Sequence, residues 1–150
     1  MRVLLQRVSN ASVKINGEIK SSIGNGLLIF LGIEEADAAD DVEWLTGKIC
    51  RLRIFNDENE VMNRSVQEFE GEILVISQFT LHASVKKGNR PSYIHAARPE
   101  VAVPIYEKFL EVLTTSSGLK VLSGEFGADM KVQLLNDGPV TIFIDSKIRE

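Results

Sequence analysis

The side chains of this chain that could do chemistry are mainly hydroxyl, amide and basic groups, because histidine and cysteine are scarce. The sequence contains only His82, His95 and Cys50 of those two types. Neither histidine has a partner at metal-ligand spacing, so a zinc site would need carboxylates for most of its ligands. We therefore expect both histidines to be surface or loop residues, and we expect no metal and no cofactor.

Common catalytic and nucleotide-binding motifs are also missing from the sequence. It has no G-x-S-x-G segment, no P-loop and no dinucleotide-binding fingerprint. Gly24-Asn25-Gly26 indicates a turn, and nothing after it resembles a phosphate-binding helix. The aromatic residues are too dispersed to define a stacking platform for nucleic acid. Residue types and spacing alone thus predict a soluble α+β domain without specifying a reaction.

The length and composition are those of an ordinary globular protein. The chain has 150 residues, of which 44% are hydrophobic and 25% are charged, so we expect one domain spanning residues 1–150. The lone Cys50 excludes an internal disulfide and favours a reducing compartment. No apolar run approaches the ~20 residues that span a bilayer, and the segment Met1–Arg7 lacks the apolar core of a signal peptide. We expect a cytoplasmic protein that does not bind membranes.

The net charge of −4 argues against indiscriminate binding to a phosphate backbone, so we do not expect a DNA partner. Any contact with nucleic acid should be local. The obvious candidate is the basic segment with Lys86, Lys87 and Arg90. The alternative interpretation of this segment is a solvated loop with surplus cations.

Strands are predicted where apolar residues alternate or form short continuous runs. The predicted strand segments are 2–8, 11–15, 26–32, 73–81, 130–134 and 140–144. Asn16-Gly17 is a strong signal for a two-residue hairpin. The run 26–32 should be buried on both faces, whereas Asn136-Asp137-Gly138-Pro139 should interrupt the last strand region.

Two helices are predicted between these strands. Asp37 is a plausible N-cap for the first helix, and Pro99 suits the first turn of the second, which Gly118 should end. Pro104 lies inside the second helix, so we expect a kink or a later start there. The first helix would bury an apolar stripe of Val42, Leu45, Ile49 and Leu52. The predicted fold is a single α+β domain whose mixed, mostly antiparallel sheet curls toward a barrel and carries two packed helices.

Two short segments resemble signatures of the D-aminoacyl-tRNA deacylases. Ser77-Gln78-Phe79-Thr80-Leu81 resembles the family's SQFTL signature, and residues 136–141 resemble its NDGPVT signature. The similarity extends essentially end to end. Further matching segments are Leu5–Val8, Leu52–Phe55, Met62-Asn63, Lys87–Ser92 and Phe126–Met130. His82 and Tyr93 depart from the expected Tyr and the commoner Phe, which leaves the amino-acid and tRNA preference open.

The resemblance implies a homodimer that hydrolyses the ester bond of D-aminoacyl-tRNA at active sites on the subunit interface. Gly138-Pro139 of one subunit would reach into the pocket around Ser77–Thr80 of the other. A Gly-Pro bond can be cis at a cost of about 0.5–1 kcal/mol, and such a segment would form a rigid main-chain wall. The wall would admit hydrogen but collide with an L side chain, so glycyl-tRNA should also be a substrate. The alternative is an ordinary turn between two strands.

The resemblance also implies that Ser77, Gln78, Phe79 and Thr80 are catalytic. The backbone N–H groups of Phe79 and Thr80 would form an oxyanion hole. In one alternative, Thr80 is the nucleophile that attacks the ester. In the other, the attacking group is a water molecule that the ribose 2′-hydroxyl positions or activates. We favour the water because no base is close to Thr80 in the sequence. Ser77 and Gln78 would orient the pocket, although Ser77 could equally be a satisfied strand hydroxyl.

Other residues are predicted to bind the substrate. Phe126 and Met130 would lie near the terminal adenosine, with core packing as the alternative. Arg7 would support the Gly-Pro segment across the interface, with a surface ion pair as the alternative. The remaining residues of the substrate-binding set are Gly138, Pro139, Val140 and Thr141. The predicted phosphate contacts with the tRNA acceptor stem are Lys86, Lys87 and Arg90.

Two rival functions remain open at this point. A non-catalytic RNA-binding or dimeric adaptor protein could share the fold, because a fold alone does not establish activity. An editing enzyme for L-amino acids is the second rival. A trans peptide bond at Gly138-Pro139 would reopen the space for an L side chain, and the sequence does not reveal the isomer.

Overall fold

The structure is a computed structural model that describes residues 1–149. Its strands are β1 (Arg2–Ile15), β2 (Glu18–Ile23), β3 (Gly26–Gly32), β4 (Phe55–Asn56), β5 (Met62–Arg64), β6 (Glu72–Ser77), β7 (Val121–Ser123) and β8 (Met130–Asp145). Its helices are α1 (Ala39–Arg51), α2 (Val66–Phe69), the 3₁₀ helix Phe79–His82 and α3 (Pro99–Ser117). The predicted α+β class with two long helices is confirmed.

The main sheet is mixed and mostly antiparallel. Its order is β2-β1-β3-β6-β7, and β8 pairs with β1 outside this path. The β3–β6 and β6–β7 pairs are parallel, whereas β1 is antiparallel to each of its partners. The first half of β1 lies between β3 and β8, and its second half lies between β2 and β8. Because β8 follows β1 from end to end, the sheet closes toward a barrel, as predicted.

The two strands predicted at residues 2–8 and 11–15 form the single strand β1. The segment between them also pairs with β8, so it does not end the strand. The predicted hairpin at Asn16-Gly17 is confirmed, since both residues have positive φ angles, 52° and 80°. Two positive φ angles give a turn whose twist matches the right-handed twist of the flanking strands.

Apolar side chains fill the space on both faces of the sheet. Leu27, Ile29 and Leu31 of β3 belong to the core between the sheet and the two long helices. Leu28, one residue out of phase, belongs to a second core inside the curled sheet. The prediction that β3 is buried on both faces is therefore confirmed. The carboxyl end of β3 lies beside the carboxyl end of β6 in the sheet.

The start of α1 differs from the prediction, whereas α3 begins at the predicted Pro99. Ala38, not Asp37, is the N-cap of α1, because the Asp37 carboxylate binds the buried ammonium group of Met1 instead. The Asp41 carboxylate takes over at the helix start and accepts a hydrogen bond from the Ala38 amide at 2.9 Å. Helix α3 begins at Pro99 and continues through Pro104, so the expected later start is wrong.

The later start fails for a physical reason, and the end of α3 behaves as expected. Pro104 lies early in the helix, where it removes only one backbone hydrogen bond from an otherwise well-packed element. Gly118 follows the last residue of α3 with a φ angle of 66°, so the predicted helix end is confirmed. No helix in the described part of the chain is long and apolar enough to cross a membrane.

Candidate active site

The first signature segment forms a tight turn rather than the continuation of a strand. Strand β6 ends at Ser77, and the Gln78 amide donates to the Leu31 carbonyl at 2.7 Å, which aligns the segment with the end of β3. The chain then enters the 3₁₀ helix Phe79–His82. The predicted strand through residue 81 is therefore wrong beyond Ser77. We call residues 77–83 the catalytic turn, after the role that the resemblance predicts for Ser77–Thr80.

Two adjacent backbone amides of the catalytic turn are free to bind a ligand. The Leu81 amide donates to the Gln78 carbonyl at 3.2 Å, and the Ala83 amide donates to the Thr80 carbonyl at 3.0 Å. By contrast, the amides of Phe79 and Thr80 have no acceptor within residues 1–149. Successive unpaired N–H groups in a turn form a concave site for an anion. The predicted oxyanion-hole donors thus have the availability that the role requires.

The hydroxyl of Thr80 has a donor beside it but no base. The Gln78 side-chain amide donates to Thr80 Oγ1 at 2.5 Å. A neutral amide cannot remove a proton from a hydroxyl group. Among the described residues, no histidine, carboxylate or lysine makes a hydrogen bond to Thr80. This geometry favours a bound water over Thr80 as the attacking group.

A cavity of about 260 Å³ opens in front of the catalytic turn. Ser77, Gln78 and Phe79 line one side of it. Phe126 and Met130 line the other side, and both also pack against the protein core. The two interpretations offered for Phe126 and Met130 are therefore compatible. We call this space the turn pocket.

Two residues that the sequence analysis missed hold the far wall of the turn pocket. The ring of Tyr106 meets Phe126 edge to face, with ring centroids 5.7 Å apart, and its hydroxyl donates to the Val75 carbonyl at 3.3 Å. A Cβ atom on Gly124 would lie 2.5 Å from the sulfur of Met130. Because Gly124 has no side chain, the Met130 side chain can occupy this part of the pocket wall. No local sequence signal distinguishes this tyrosine or this glycine from others.

The mouth of the turn pocket is unusually apolar. Phe79 is 54% exposed and Ile94 is 80% exposed. Tyr93 is also exposed, and its ring meets Phe79 edge to face at 5.0 Å. Large apolar side chains clustered on a surface mark an interaction site. This surface is therefore a candidate contact site for a partner.

The second signature segment projects from the β1–β8 ladder as a bulge. Gln6 pairs with Thr141, and Val8 pairs with Asn136, so residues 137–140 lie opposite the single residue Arg7. Gly138 and Pro139 are exposed at the tip, and the peptide bond between them is cis. We call residues 137–140 the Gly-Pro bulge.

Buried hydrogen bonds fix the base of the Gly-Pro bulge. Arg7 Nε lies 3.1 Å from the Asp137 carbonyl and 3.2 Å from the Asp137 carboxylate. Its Nη1 donates to the Ile54 carbonyl at 2.7 Å and contacts Asn56 Oδ1 at 3.3 Å. Arg7 contacts the Asp137 carboxylate but is only 7% exposed, so the alternative of an ordinary surface ion pair does not describe it. Arg7 supports the bulge within its own chain, whereas its support across an interface stays untested.

Asn136 adds a second tie that the sequence analysis did not assign. Its side-chain amide donates to the carbonyls of Arg7 and Val140, each at 3.0 Å, and so bridges the two ends of the bulge. Thr141 accepts a hydrogen bond from Gln6 at 3.1 Å. Asn136 belongs to the second signature. Its two hydrogen bonds depend on the pairing register of β1 and β8, which the sequence does not reveal.

The predicted site residues therefore fall into two groups in one chain. The first lines the turn pocket, and the second surrounds the Gly-Pro bulge. The turn pocket is not lined by any of the predicted substrate-binding residues Gly138, Pro139, Val140 and Thr141. Val140 packs partly against the core. One chain alone does not bring the two groups together.

The basic segment with Lys86, Lys87 and Arg90 forms an exposed loop. Backbone hydrogen bonds between Ser84 and Ser92, at 2.8 and 2.9 Å, close its base. Lys86, Lys87 and Arg90 are exposed in the loop, and within residues 1–149 none of them forms an ion pair. Unpaired cations on one loop give a local positive surface on a chain of negative net charge.

The two histidines differ sharply. His95 is exposed, as predicted, but His82 is only 1% exposed, so the prediction that it lies on the surface is wrong. The 3₁₀ helix turns its ring inward against Gly32. Within the described chain, no group of three or more histidine, cysteine or carboxylate residues is placed to hold a metal ion.

Comparison with known proteins gives a consistent assignment. The family model described as D-Tyr-tRNA(Tyr) deacylase matches residues 4–145. Proteins named D-aminoacyl-tRNA deacylase from Bacteroides fragilis (strain YCH46) and Flavobacterium johnsoniae are 63% and 61% identical to the chain, each covering 100% of both sequences. A solved structure named c-Myc DNA Unwinding Element Binding Protein is 42% identical, with a TM-score of 0.91, and covers 97% of this chain and 98% of that one.

A second solved structure shares the fold at lower sequence similarity. It is described as a probable eukaryotic D-amino acid tRNA deacylase and superposes with a TM-score of 0.82 at 19% identity, covering 95% of this chain and 97% of that one. At this identity the likeness shows the fold alone. With the family model matched over residues 4–145 and relatives matched along their whole length, the chain belongs to the D-Tyr-tRNA(Tyr) deacylase family.

Proposed function

We propose that this protein hydrolyses the ester bond between a D-amino acid and tRNA in the cytoplasm, releasing the free D-amino acid and the tRNA. The observation that carries the proposal is the pair of free amides of Phe79, which lines the turn pocket, and of Thr80, the next residue along the chain. Membership of the deacylase family supplies the substrate class. The half-buried aromatic and thioether groups of Phe126 and Met130 provide an apolar wall for the terminal adenosine.

The chemistry needs little more than charge stabilisation. Water adds to the ester carbonyl carbon, the carbonyl oxygen becomes an oxyanion, and the bond to the ribose oxygen then breaks as that oxygen takes up a proton. Two preorganised N–H donors directed at the developing oxyanion supply a large share of such catalysis, since removing one donor typically costs about 10²–10³ in rate. The ribose 2′-hydroxyl of the substrate assists the water in place of a protein base.

The Thr80→Ala variant tests the choice between water and a threonine nucleophile. We expect single-turnover hydrolysis of D-tyrosyl-tRNA within about threefold of the wild-type rate, because Thr80 has no base and the alanine keeps the backbone amide. The measurement is release of labelled D-tyrosine with enzyme in excess. Thr80→Ser is the matched control, since it retains a hydroxyl. Near-total loss in Thr80→Ala, with normal binding and a normal Thr80→Ser rate, would instead establish the nucleophile.

The Gly-Pro bulge is proposed to complete the turn pocket of a second subunit. Three observations support this homodimer: the bulge tip is exposed, its base is fixed by buried hydrogen bonds, and the pocket mouth carries exposed apolar side chains. A C₂ dimer uses the same surface twice, so each subunit would give its bulge and receive its partner's. Sedimentation equilibrium should give twice the chain mass at micromolar concentration.

The bulge would discriminate by main-chain contact rather than by side-chain recognition. When the ammonium group and the ester carbonyl are held, L and D isomers differ only in the exchange of hydrogen and side chain. A rigid main-chain wall then rejects an L side chain by steric collision. Glycine has no side chain to reject, so glycyl-tRNA is a proposed substrate as well.

The basic loop is proposed to contact the acceptor stem. Lys86, Lys87 and Arg90 are exposed and free to meet phosphates. Such contacts position an RNA without sensing its sequence and weaken as salt rises. The rest of the surface, on a chain of net charge −4, offers little general attraction for nucleic acid.

A three-substrate assay tests the proposed function. D-tyrosyl-tRNA, L-tyrosyl-tRNA and glycyl-tRNA are incubated with enzyme at substoichiometric concentration, and free amino acid is measured. We expect turnover of the D and glycyl esters and none of the L ester. Protection of the D ester without release would indicate the non-catalytic binding protein, and equal turnover of both tyrosyl esters would indicate a different editing reaction.

A DNA-binding function is the second candidate, because the 42%-identical solved structure carries the name of a protein that binds a DNA element. The net charge of −4 and the small size of the basic loop argue against it. Titration of labelled duplex DNA at physiological salt decides the matter. We expect no saturable binding at micromolar protein.

A further inference from the structure

His82 occupies the last position of the 3₁₀ helix in the catalytic turn and is buried against the end of β3. A Cβ atom on Gly32 would lie 3.0 Å from His82 Cδ2, so the imidazole ring packs directly on the glycine backbone. Along the chain, His82 is only two residues from Thr80 and three from Phe79. The ring and the two free amides therefore belong to the same short helical turn.

The surroundings of His82 favour the neutral ring. Its Nε2 atom is buried and has no hydrogen-bond partner among residues 1–149. Burial lowers the pKa of His82, and the Arg2 guanidinium and Met1 ammonium groups lower it further, while the Gly32 backbone and the Glu34 carboxylate oppose the shift. Arg2 belongs to β1 and Met1 precedes it, while Gly32 is the last residue of β3 and Glu34 follows that strand. The two cations are themselves bound to Asp145 and Asp37.

Two other bonds hold the catalytic turn beside this ring. Arg2 Nη1 donates to the Leu81 carbonyl at 3.0 Å, and the Gln78 amide donates to the Leu31 carbonyl at 2.7 Å. The ring of His82 is the third anchor, and it is the one that can change its charge near neutral pH. Protonation would place a second N–H on the ring at the buried Nε2 atom, where it has no acceptor among residues 1–149, and burying an unpaired donor costs free energy.

We propose that neutral His82 is a positioning residue that holds the Phe79 and Thr80 amides in their active geometry, and that protonation of its ring displaces the catalytic turn. His82 acts through the turn and does not touch the substrate. The consequence for activity rests on the proposed function, whereas the consequence for the turn does not. Hydrolysis should lose rate on the acid side as the ring gains its proton.

The test compares wild type with His82→Phe, which fills the same space and cannot be protonated. Single-turnover rate constants for D-tyrosyl-tRNA are measured from about pH 5 to about pH 8. The ratio of the wild-type rate constant to the His82→Phe rate constant at each pH cancels the pH dependence of the ester and of every other group. We expect a ratio within about twofold of unity at high pH, and a wild-type loss approaching about tenfold per pH unit on the acid side. His95→Gln is the matched control, because this exposed histidine should leave the profile unchanged.

A second measurement does not use the His82→Phe variant, so it still tests the proposal if that variant fails to fold. With only two histidines in the chain, His95→Gln assigns both imidazole signals in an NMR titration. We expect His82 to titrate below its ordinary value of 6.5, and we expect the amide signals of Phe79 and Thr80 to move with the same midpoint.

Two results would overturn the proposal: an acid loss that persists in His82→Phe, or amide signals that ignore the titration of His82. The proposed function has its own separate failure. Wild type that releases no amino acid at high pH would refute the hydrolase, while the NMR titration would still decide whether His82 positions the turn.

Discussion

Replacing Arg7 with Met is expected to lower the rate of D-aminoacyl-tRNA hydrolysis about 100-fold while leaving the turn pocket intact. The variant loses four contacts at the base of the Gly-Pro bulge, to Asp137, Ile54 and Asn56. Charge-assisted hydrogen bonds contribute about 1.5–3 kcal/mol each when they are buried. A loss of about 2.7 kcal/mol in the positioning of the bulge corresponds to a 100-fold rate effect. Single-turnover release of D-tyrosine measures it.

Two further variants separate geometry from charge at this site. Arg7→Lys keeps the charge but not the planar fork, so we expect about a tenfold loss, between wild type and Arg7→Met. Arg64→Met is the control, since it removes an exposed ion pair with Glu58 that should matter little. A wild-type rate in Arg7→Met, with circular dichroism showing a folded protein, would mean that the bulge does not take part in the reaction.

The parts of the fold that the sequence predicts well are those with local causes. The hairpin at Asn16-Gly17 follows from residues that accept positive φ, and both ends of α3 follow from Pro99 and Gly118. The burial of β3 on both faces follows from an uninterrupted apolar run. Each of these signals acts within a few residues, so the three-dimensional neighbours do not change the outcome.

The features of the fold that could not be predicted from the sequence depend on contacts between residues far apart along the chain. Asp37 is a good helix cap in isolation, but the ammonium group of Met1, 36 residues away, takes its carboxylate. The buried network of Arg7 reaches Asp137 across 130 residues. No local pattern predicts that His82 turns inward, because a 3₁₀ helix replaces the expected strand only when the Gln78 amide binds the end of β3.

The candidate site shows the same division. The two signatures identify the catalytic turn and the Gly-Pro bulge by resemblance, since each contains the residues that form its segment of the site. Other supports of the site lie outside both signatures. Gly32 and Tyr106 are ordinary members of a strand and a helix, and only their contacts with Gln78 and Phe126 give them a role in the site.

Gly32→Ala is expected to reduce hydrolysis roughly tenfold while the protein stays folded. The added methyl group would lie 3.0 Å from the Gln78 carbonyl oxygen, from His82 Cδ2 and from Leu81 Cβ. All three belong to the catalytic turn, so the turn must move outward while β3 stays in the ladder. A misplacement of about 1 Å in a catalytic group can cost about 10² in rate, so a shift of a few tenths of an ångström is expected to cost about tenfold. Single-turnover rates and thermal unfolding are measured together, with Gly24→Ala as the control, whose methyl group meets only ordinary contact at 3.9 Å.

Gly32→Ala also makes the subunit arrangement testable, because it damages the turn while Arg7→Met damages the bulge. The two variants are co-expressed with different tags, and the mixed dimer is purified. If the bulge serves the partner's pocket, one site of the mixed dimer carries both defects and the other carries none, so about half of the wild-type activity returns. If each bulge served its own chain, both sites would carry one defect and the mixed dimer would stay as impaired as its parents. Recovery of activity from two impaired chains therefore requires a site shared between subunits.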